Sequence, residues 1–153
     1  MTGQIEALRL RLKKMPSLPV VEVGWPEDGP GGPGLAMIAR ILQLGTKDGR
    51  IPPRPVLASV ATAHKDEIQR RVRTAIEAYA RGDAHVGRKI LEALAEWLGV
   101  QVRNALGVGV PPPNAASTIA RKGQDFPLRN PDGADALYKH LVARARDPRP
   151  GET

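Results

Sequence analysis

The sequence predicts an α+β fold, and three patterns support that class. A run rich in β-branched residues at positions 18–25 is bounded by proline and glycine, which is typical of a strand. Apolar residues recur at three- and four-residue steps over residues 56–79 and 84–106, which predicts two long amphipathic helices. Glycine and proline cluster at residues 24–34, 45–55 and 107–114, so loops separate these elements.

Two shorter helix patterns lie on either side of the predicted strand. Residues 4–15 place apolar side chains on one face and basic ones on the other, and Pro16 ends this helix. Residues 26–34 hold too much glycine and proline for regular structure and are predicted to form an exposed loop. Residues 35–44 are predicted as a short helix, and Gly45 suits its C-terminal cap because glycine tolerates a positive φ.

A proline-rich segment, residues 45–57, connects this helix to the first long one. Residues that precede proline are pushed toward extended conformations, so Ile51 to Arg54 are expected to form a stiff strut. Pro55 suits the first turn of the helix that follows. The apolar stripe of that helix comprises Val60, His64, Ile68, Val72, Ile76 and Tyr79.

A second unusual segment, residues 111–123, follows the second long helix. Three consecutive prolines forbid helix there, and we expect the segment to be rigid and extended. Residues 134–146 fit two patterns, because apolar residues alternate as in a strand whereas Ala, Leu, Lys and Arg favour a helix. The sequence leaves both open. Residues 1–146 are predicted to form a single domain, and residues 147–153 a loose end.

Composition excludes several classes of protein. The chain of 153 residues has no cysteine, so disulfides and thiolate metal sites are excluded. It has no run of 18 apolar residues, and its first 14 residues lack the apolar region of a signal peptide. We therefore expect no membrane span and a protein that is made and used in a cytoplasm.

The net charge of +7 indicates a basic surface. Basic residues cluster within positions 9–14 and 144–149, and at Arg70, Arg71 and Arg73. Such clusters bind phosphate backbones without reading sequence, so one alternative is a nucleic-acid-binding protein. A solvated surface that keeps the protein in solution would explain the same clusters.

Patterns for catalysis or metal binding are weak. The three histidines, His64, His85 and His140, are far apart, and no pair has the spacing of metal ligands on a helix. Residues 29–34 are rich in glycine but lack the Gly-Lys-Ser/Thr ending of a phosphate loop. The sequence therefore predicts neither an enzyme nor a bound cofactor or metal, and it favours an interaction protein.

The two proline segments carry motifs in a fixed order around the long helices. The first reads Leu44-Gly45-Thr46, then Ile51-Pro52-Pro53-Arg54-Pro55-Val56-Leu57. The second contains Pro113-Asn114, Ser117-Thr118-Ile119, Lys122-Gly123 and Pro127-Leu128. The predicted strand at residues 18–25 precedes both segments. A strand followed by these two motifs in this order resembles the pattern of the neck, tail-completion and minor-tail proteins of tailed bacteriophages. The resemblance spans residues 18–128. The family's usual Asp-Thr-Gly turn is replaced by Arg129-Asn130-Pro131-Asp132-Gly133, and its usual Phe by Val56.

The resemblance implies a small antiparallel sheet packed against the two long helices, with long loops rich in glycine and proline. It also implies a structural virion protein at the head–tail junction or the top of the tail, which joins the capsid connector to the tail. Such a protein is a homo-oligomer, a ring of six or twelve copies, whose partners are other phage neck and tail proteins. Its expected location is the virion, and the host cytoplasm during assembly. A minor tail protein elsewhere in the tail is an alternative.

The stiff segments are the predicted docking surface between subunits, because a rigid strut loses little freedom when a partner covers it. The predicted docking residues are Ile51, Pro52, Pro53, Arg54, Pro55, Asn114, Thr118 and Lys122. Arg70, Arg71 and Arg73 are predicted to face either packaged DNA, through non-specific electrostatics, or an acidic patch of a neighbouring subunit.

Overall fold

The computed structural model describes residue 6 and residues 17–108, 111–123 and 136–152. In these residues the elements are β1 (Val20–Gly24), α1 (Gly32–Leu44), α2 (Val56–Ala63), α3 (Lys65–Ala80), α4 (Ala84–Val108), α5 (Ala116–Lys122), α6 (Ala136–Lys139) and β2 (Val142–Arg146). The two strands form a small antiparallel sheet, which confirms the α+β class. The predicted helix at 4–15 lies almost wholly outside the described residues, as do Pro127 and Leu128.

The sheet pairs segments from opposite ends of the sequence. On β2, Arg144 and Arg146 are two residues apart and so share a face, and both contact Glu22 of β1 at 2.8 and 3.2 Å. Residues 136–139 are helical and residues 142–146 form the strand, so both structures left open for residues 134–146 occur. Pairing with β1 outweighs the helix propensity of the arginine-rich strand.

The prediction of one uninterrupted helix over residues 56–79 is wrong, because the helix breaks at His64. His64 has φ −112° and ψ 19°, and its N–H donates to the Val60 carbonyl. The next helix, α3, carries Asp66 and Glu67 in its first turn, where acidic side chains are stabilised by the helix dipole. The predicted helices at 35–44 and 84–106 are confirmed as α1 and α4. The predicted loop at 26–34 is too long at its end, because α1 begins at Gly32 and Pro33 suits the first turn of a helix.

By its internal contacts the chain divides into two compact units. The first unit comprises residues 1–22, 65–96 and 144–153, and the second comprises residues 23–64 and 97–143. The boundary falls between α2 and α3 and within β1, α4 and β2. The prediction of a single domain stays a prediction.

In the first unit α3 and α4 are joined by a short turn and pack closely. The buried side chains are Ala75, Ala78, Tyr79, Leu91, Leu94 and Ala95. Gly87 of α4 lies against the Tyr79 ring, and a Cβ there would lie 2.5 Å from two of its ring carbons. Glycine is therefore required at this approach.

The C-terminal residues of the first unit make several ion pairs. Asp147 pairs with Arg88 of α4 at 2.9 Å, and Glu152 accepts hydrogen bonds from the Arg146 guanidinium at 2.7 and 2.8 Å. The Glu152 carboxylate also accepts from the Arg149 N–H at 2.7 Å. These hydrogen bonds, with Arg146 first, lower the pKa of Glu152 to about 2.

The second unit holds a contiguous core built from α1, α2, the end of α4, α6 and the residue after β1. Its buried members are Trp25, Ala39, Val56, Val60, Val102, Leu106, Leu137 and Leu141. The indole Nε1–H of Trp25 donates to the Leu137 carbonyl at 2.7 Å, so the one polar group of this buried side chain has a hydrogen-bond partner. The His64 and Trp97 rings meet edge to face at 5.0 Å.

Replacing Gly87 with alanine should destabilise the protein by about 1–3 kcal/mol, because the added methyl group overpacks against the buried Tyr79 ring. The matched control is Gly107→Ala on the same helix, where a Cβ meets nothing within 4 Å. That change should stabilise the helix by up to about 1 kcal/mol. Thermal unfolding followed by circular dichroism measures both, and equal melting temperatures for the two variants would contradict the packing described.

Candidate subunit-docking site

The first proline segment is closed by a pair of hydrogen bonds between Thr46 and Ile51. The Thr46 N–H donates to the Ile51 carbonyl at 2.9 Å, and the Ile51 N–H donates to the Thr46 hydroxyl at 3.0 Å. Inside this loop the Arg50 N–H donates to Asp48. The hydroxyl of Thr46 and then the Arg50 N–H lower the pKa of the Asp48 carboxyl. A threonine five residues before the isoleucine thus fixes the start of the strut.

Gly45 lets the strut pass close to the end of α1. Its φ is +73°, and a Cβ would lie 2.7 Å from the Ile51 carbonyl oxygen and 2.8 Å from the Pro53 nitrogen. Both the positive φ and the close backbone approach exclude larger residues. Gly45 and Thr46 together hold Ile51 to Pro53 against the C-terminus of α1.

The strut is also bonded to the last turn of α1. The Arg54 N–H donates to the Leu42 carbonyl at 2.8 Å, and the Leu57 N–H donates to the Gln43 side-chain carbonyl at 3.2 Å. The last carbonyls of a helix have no partner within the helix, so a following segment that supplies donors stabilises the end. Helix α2 then begins at Val56, directly after Pro55.

Arg54 joins the two proline segments. Its Nε–H donates to the Pro112 carbonyl at 3.0 Å and its Nη2 to the Pro113 carbonyl at 3.2 Å. The residue is only 5% exposed. Proline offers a carbonyl acceptor and no N–H donor, whereas arginine offers five donors and no acceptor. A guanidinium is therefore the side chain best suited to hold a run of prolines, and we call this contact the Arg54 brace.

The brace changes the role of Arg54 within the predicted docking set. A docking contact requires a side chain that reaches outward, but this guanidinium is buried and bonded inside the subunit. Pro53 and Pro55 on either side of it are exposed, and Ile51 and Pro52 are partly exposed. Asn114 and Thr118 are also partly exposed, while the Lys122 side chain lies outside the described structure. The docking role of the segment stays a prediction.

The second proline segment is not extended throughout, which corrects the expectation for residues 111–123. Residues 116–122 form α5, with Ala115 at its N-cap. Gly123 ends the helix in the left-handed conformation, with φ +71°, and its N–H donates to Ile119. Between Pro113 and Gly123 no proline interrupts the chain, and alanine, arginine and lysine favour helix, so the motif's Lys-Gly pair is a helix end.

A largely apolar groove adjoins both proline segments in the second unit. It has a volume of about 640 Å³ and lies between α2 and the last turns of α4, with Pro55 and Pro111 at its edge. Val60, Ala63, Ala105 and Val108 supply apolar walls, and we call it the α2–α4 groove. A groove of this size and character is typical of a binding surface. No local pattern of residues indicates this groove, because its walls come from segments about 40 residues apart.

The arginines predicted to face DNA are partly neutralised on their own helix. Arg70 makes a two-pronged contact with Glu67 at 2.7 and 2.9 Å, and Arg71 bonds the same carboxylate at 2.6 Å. Arg73 is exposed. With four basic and three acidic residues, α3 has a net charge of only +1. The spacing of Glu67 from Arg70 and Arg71, three and four residues, is the signal that predicts these pairs.

The two arginines hold Glu67 in its ionised form. Hydrogen bonds from Arg70 and then Arg71 lower the pKa of the Glu67 carboxyl from 4.5 to about 2. A carboxyl with a lowered pKa in the folded state stabilises that state fully above its unfolded pKa. This contribution is present above about pH 4.5 and is lost as the pH falls toward 2.

Among the described residues, no group of three or more histidine or acidic side chains is placed to hold a metal ion. None of the helices described there is both long enough and apolar enough to cross a membrane.

Removing the Arg54 brace should destabilise the fold. Arg54→Ala should lower the free energy of unfolding by about 3 kcal/mol, because two carbonyls lose a charged donor. Arg54→Lys should recover only part of this, because an ammonium group does not match the planar fork of a guanidinium. Urea unfolding measures the change. The control is Arg50→Ala, whose side chain is 87% exposed and which should stay within about 0.5 kcal/mol. Wild-type stability in Arg54→Ala would disprove the brace.

Releasing the α3 arginines should increase binding to DNA. Glu67→Gln removes the carboxylate that holds Arg70, so the Arg70 guanidinium becomes available to phosphates. Glu77→Gln is the matched control, since it changes the net charge of the same helix equally. Fluorescence anisotropy on a DNA duplex should show tighter binding for Glu67→Gln, with a salt slope steeper by about 1. Equal affinities for the two variants would show that these arginines do not contact DNA.

Comparison with protein-family models, with curated proteins and with solved structures gives no match. A proposal for the function therefore rests on the order of the motifs in the two proline segments and on the contacts that join these segments.

Proposed function

We propose that the chain is a structural protein of a tailed-phage virion. It forms a homo-oligomeric ring at the head–tail junction or the top of the tail and joins the capsid connector to the tail. The Arg54 brace is the observation that carries this proposal. The two motif segments that resemble phage neck and tail-completion proteins are joined by one buried side chain, because Arg54 in the first contacts Pro112, 58 residues further on, in the second.

The exposed parts of the braced segments suit contact with a neighbouring protein. Pro53 and Pro55 are exposed on one side of the brace, as are Pro111, Pro112 and Pro113 on the other. Proline has a fixed φ, and Arg54 holds the carbonyls of the second run in place. A surface that is rigid before binding loses little conformational entropy when a partner covers it.

Exposed apolar residues give the second unit further capacity for contact. Val108, which lines the groove, is 84% exposed. Leu44 at the end of α1, away from the groove lining, is 67% exposed. Exposed apolar residues that adjoin an apolar groove mark interaction surfaces. The same unit thus carries rigid prolines, exposed apolar side chains and an apolar groove.

Contact with packaged DNA is the second candidate activity, and the net charge of +7 favours it. On α3 this role falls mainly to Arg73, because Arg70 and Arg71 are paired with Glu67. DNA contact is compatible with a ring through which a genome passes. As the sole function, it requires affinity that falls steeply with salt.

The proposal is tested by phage particles that lack the chain. We expect filled heads and free tails that do not join, as seen by electron microscopy, and loss of infectious particles. Wild-type chain supplied from a plasmid should restore joining, and so should the Arg50→Ala control. Normal infectious particles without the chain would refute the proposal. Joined particles with altered tails would instead indicate a minor tail protein.

A further inference from the structure

The C-terminal residues of the first unit fold back toward the end of β2. Arg149, Pro150, Gly151 and Glu152 form a tight turn, in which the Glu152 N–H donates to the Arg149 carbonyl at 3.0 Å. Proline at the second position and glycine at the third, with φ +91° at Gly151, are typical of a type II turn. The turn is therefore set by its own backbone and does not depend on the Glu152 side chain.

This turn places the Glu152 carboxylate among three donors. Two are the Nη groups of Arg146, at 2.7 and 2.8 Å, and the third is the Arg149 N–H at 2.7 Å. The Arg146 Nη1 also donates to the Asp147 carbonyl at 3.1 Å. A guanidinium fork fits the paired oxygens of a carboxylate and those of a phosphate. We call the two Arg146 Nη groups and the Arg149 N–H the anion cradle.

Glu22 of β1 contacts the same guanidinium but does not satisfy it. The Arg146 side chain is only 16% exposed, and its Nε lies 3.2 Å from the Glu22 carboxylate. That Nε–H has no hydrogen-bond partner among the described residues. A largely buried cation without a bonded anion is costly, so the fork of Arg146 requires an oxyanion.

Positive charge exceeds negative charge around the cradle. Three arginines, Arg144, Arg146 and Arg149, contact two carboxylates, Glu22 and Glu152, which leaves a net charge of +1 for these five side chains. The side chains of Arg144 and Arg149 are 41% and 49% exposed. Rotation of Glu152 out of the cradle raises this local charge to +2.

Glu152 is an exchangeable occupant of the cradle. Its side chain is 37% exposed, and ion pairs at such positions contribute little to stability and weaken with salt. Because the turn is held by its backbone, rotation of this one side chain empties the cradle. The Arg146 fork and the Arg149 N–H remain in place, since β2 and the turn position them.

Charge density indicates which oxyanion competes with Glu152. A glutamate of another protein offers the same group that is already bound, and Glu152 has the advantage of its tether. Duplex DNA carries about one negative charge per 1.7 Å of its axis, whereas an extended acidic peptide carries at most about one per 3.3 Å. The net charge of +7 attracts the denser polyanion, so nucleic-acid phosphates compete best.

We propose that the anion cradle is a phosphate-binding site for a nucleic-acid backbone and that Glu152 is the internal ligand which the phosphate displaces. This contact deepens the DNA binding named above as the second candidate activity and rests on that proposal for its biological meaning. In the free protein Glu152 occupies the Arg146 fork and limits its contact with other anions. When a duplex binds, a phosphate receives the three donors and Glu152 turns to solvent.

Fluorescence anisotropy on the purified full chain with a short DNA duplex tests this exchange. Glu152→Gln removes the competing charge and should bind the duplex about two- to fivefold more tightly than Glu96→Gln, with a salt slope steeper by about 1. Glu96→Gln is the matched control, because Glu96 is exposed in the same unit and the change in net charge is equal. Equal affinities and slopes for the two variants would overturn the proposal.

The backbone amide resonance of Arg149 shows whether the cradle itself is the contact. In Glu152→Gln, saturating duplex should shift this resonance, because its N–H gains a phosphate acceptor. In the wild type the shift should require more duplex, because Glu152 must first leave. An unmoved resonance in Glu152→Gln would refute the cradle even if affinity rises. A polyglutamate peptide that shifts it at lower concentration than the duplex would refute a phosphate ligand.

These results are separable from the role of the chain in the virion. If Glu152→Gln behaves as expected but particles join normally without the chain, only the phage role fails. If particles require the chain but Glu152→Gln binds DNA like Glu96→Gln, only the assignment of the cradle fails.

Discussion

The buried guanidinium of Arg54 holds together the two proline segments. It binds the carbonyl of Pro112, which lies 58 residues further along the chain. A run of prolines presents carbonyl oxygens without N–H donors, so its acceptors need donors from elsewhere. Arginine supplies these donors, and its burial at 5% exposure makes each bond costly to lose. The positions of α2, the proline runs and the edge of the α2–α4 groove all depend on this contact.

Among the described residues, several arginines are held in ion pairs within the chain. In the first unit Glu22 contacts Arg144 and Arg146, and Glu67 contacts Arg70 and Arg71. These pairs reduce the basic surface that the net charge alone would suggest. Under the proposed function, contacts with other subunits therefore rely on rigid prolines and apolar side chains, with DNA contact as a secondary effect.

Features set by neighbouring residues were predictable from the sequence, and those set by distant contacts were not. Helix α4 follows from its apolar periodicity, and Gly45 follows from its cap position. The break at His64 was missed, although Asp66 and Glu67 are a signal for a new helix start. The strand β2 depends on pairing with β1 across more than 100 residues, which outweighs its local helix propensity. Arg54 points inward because it binds the carbonyls of Pro112 and Pro113. No local pattern around Arg54 indicates this distant contact.

The most direct measurement of the central claim is the location of this chain in intact virions by cryo-electron microscopy. We expect its density in a closed ring between the capsid connector and the tail. Within the ring, Arg54 should stay buried in each subunit while the exposed prolines contact the neighbouring copy. Purified virions without the chain, or with single copies that touch no other copy, would contradict the ring.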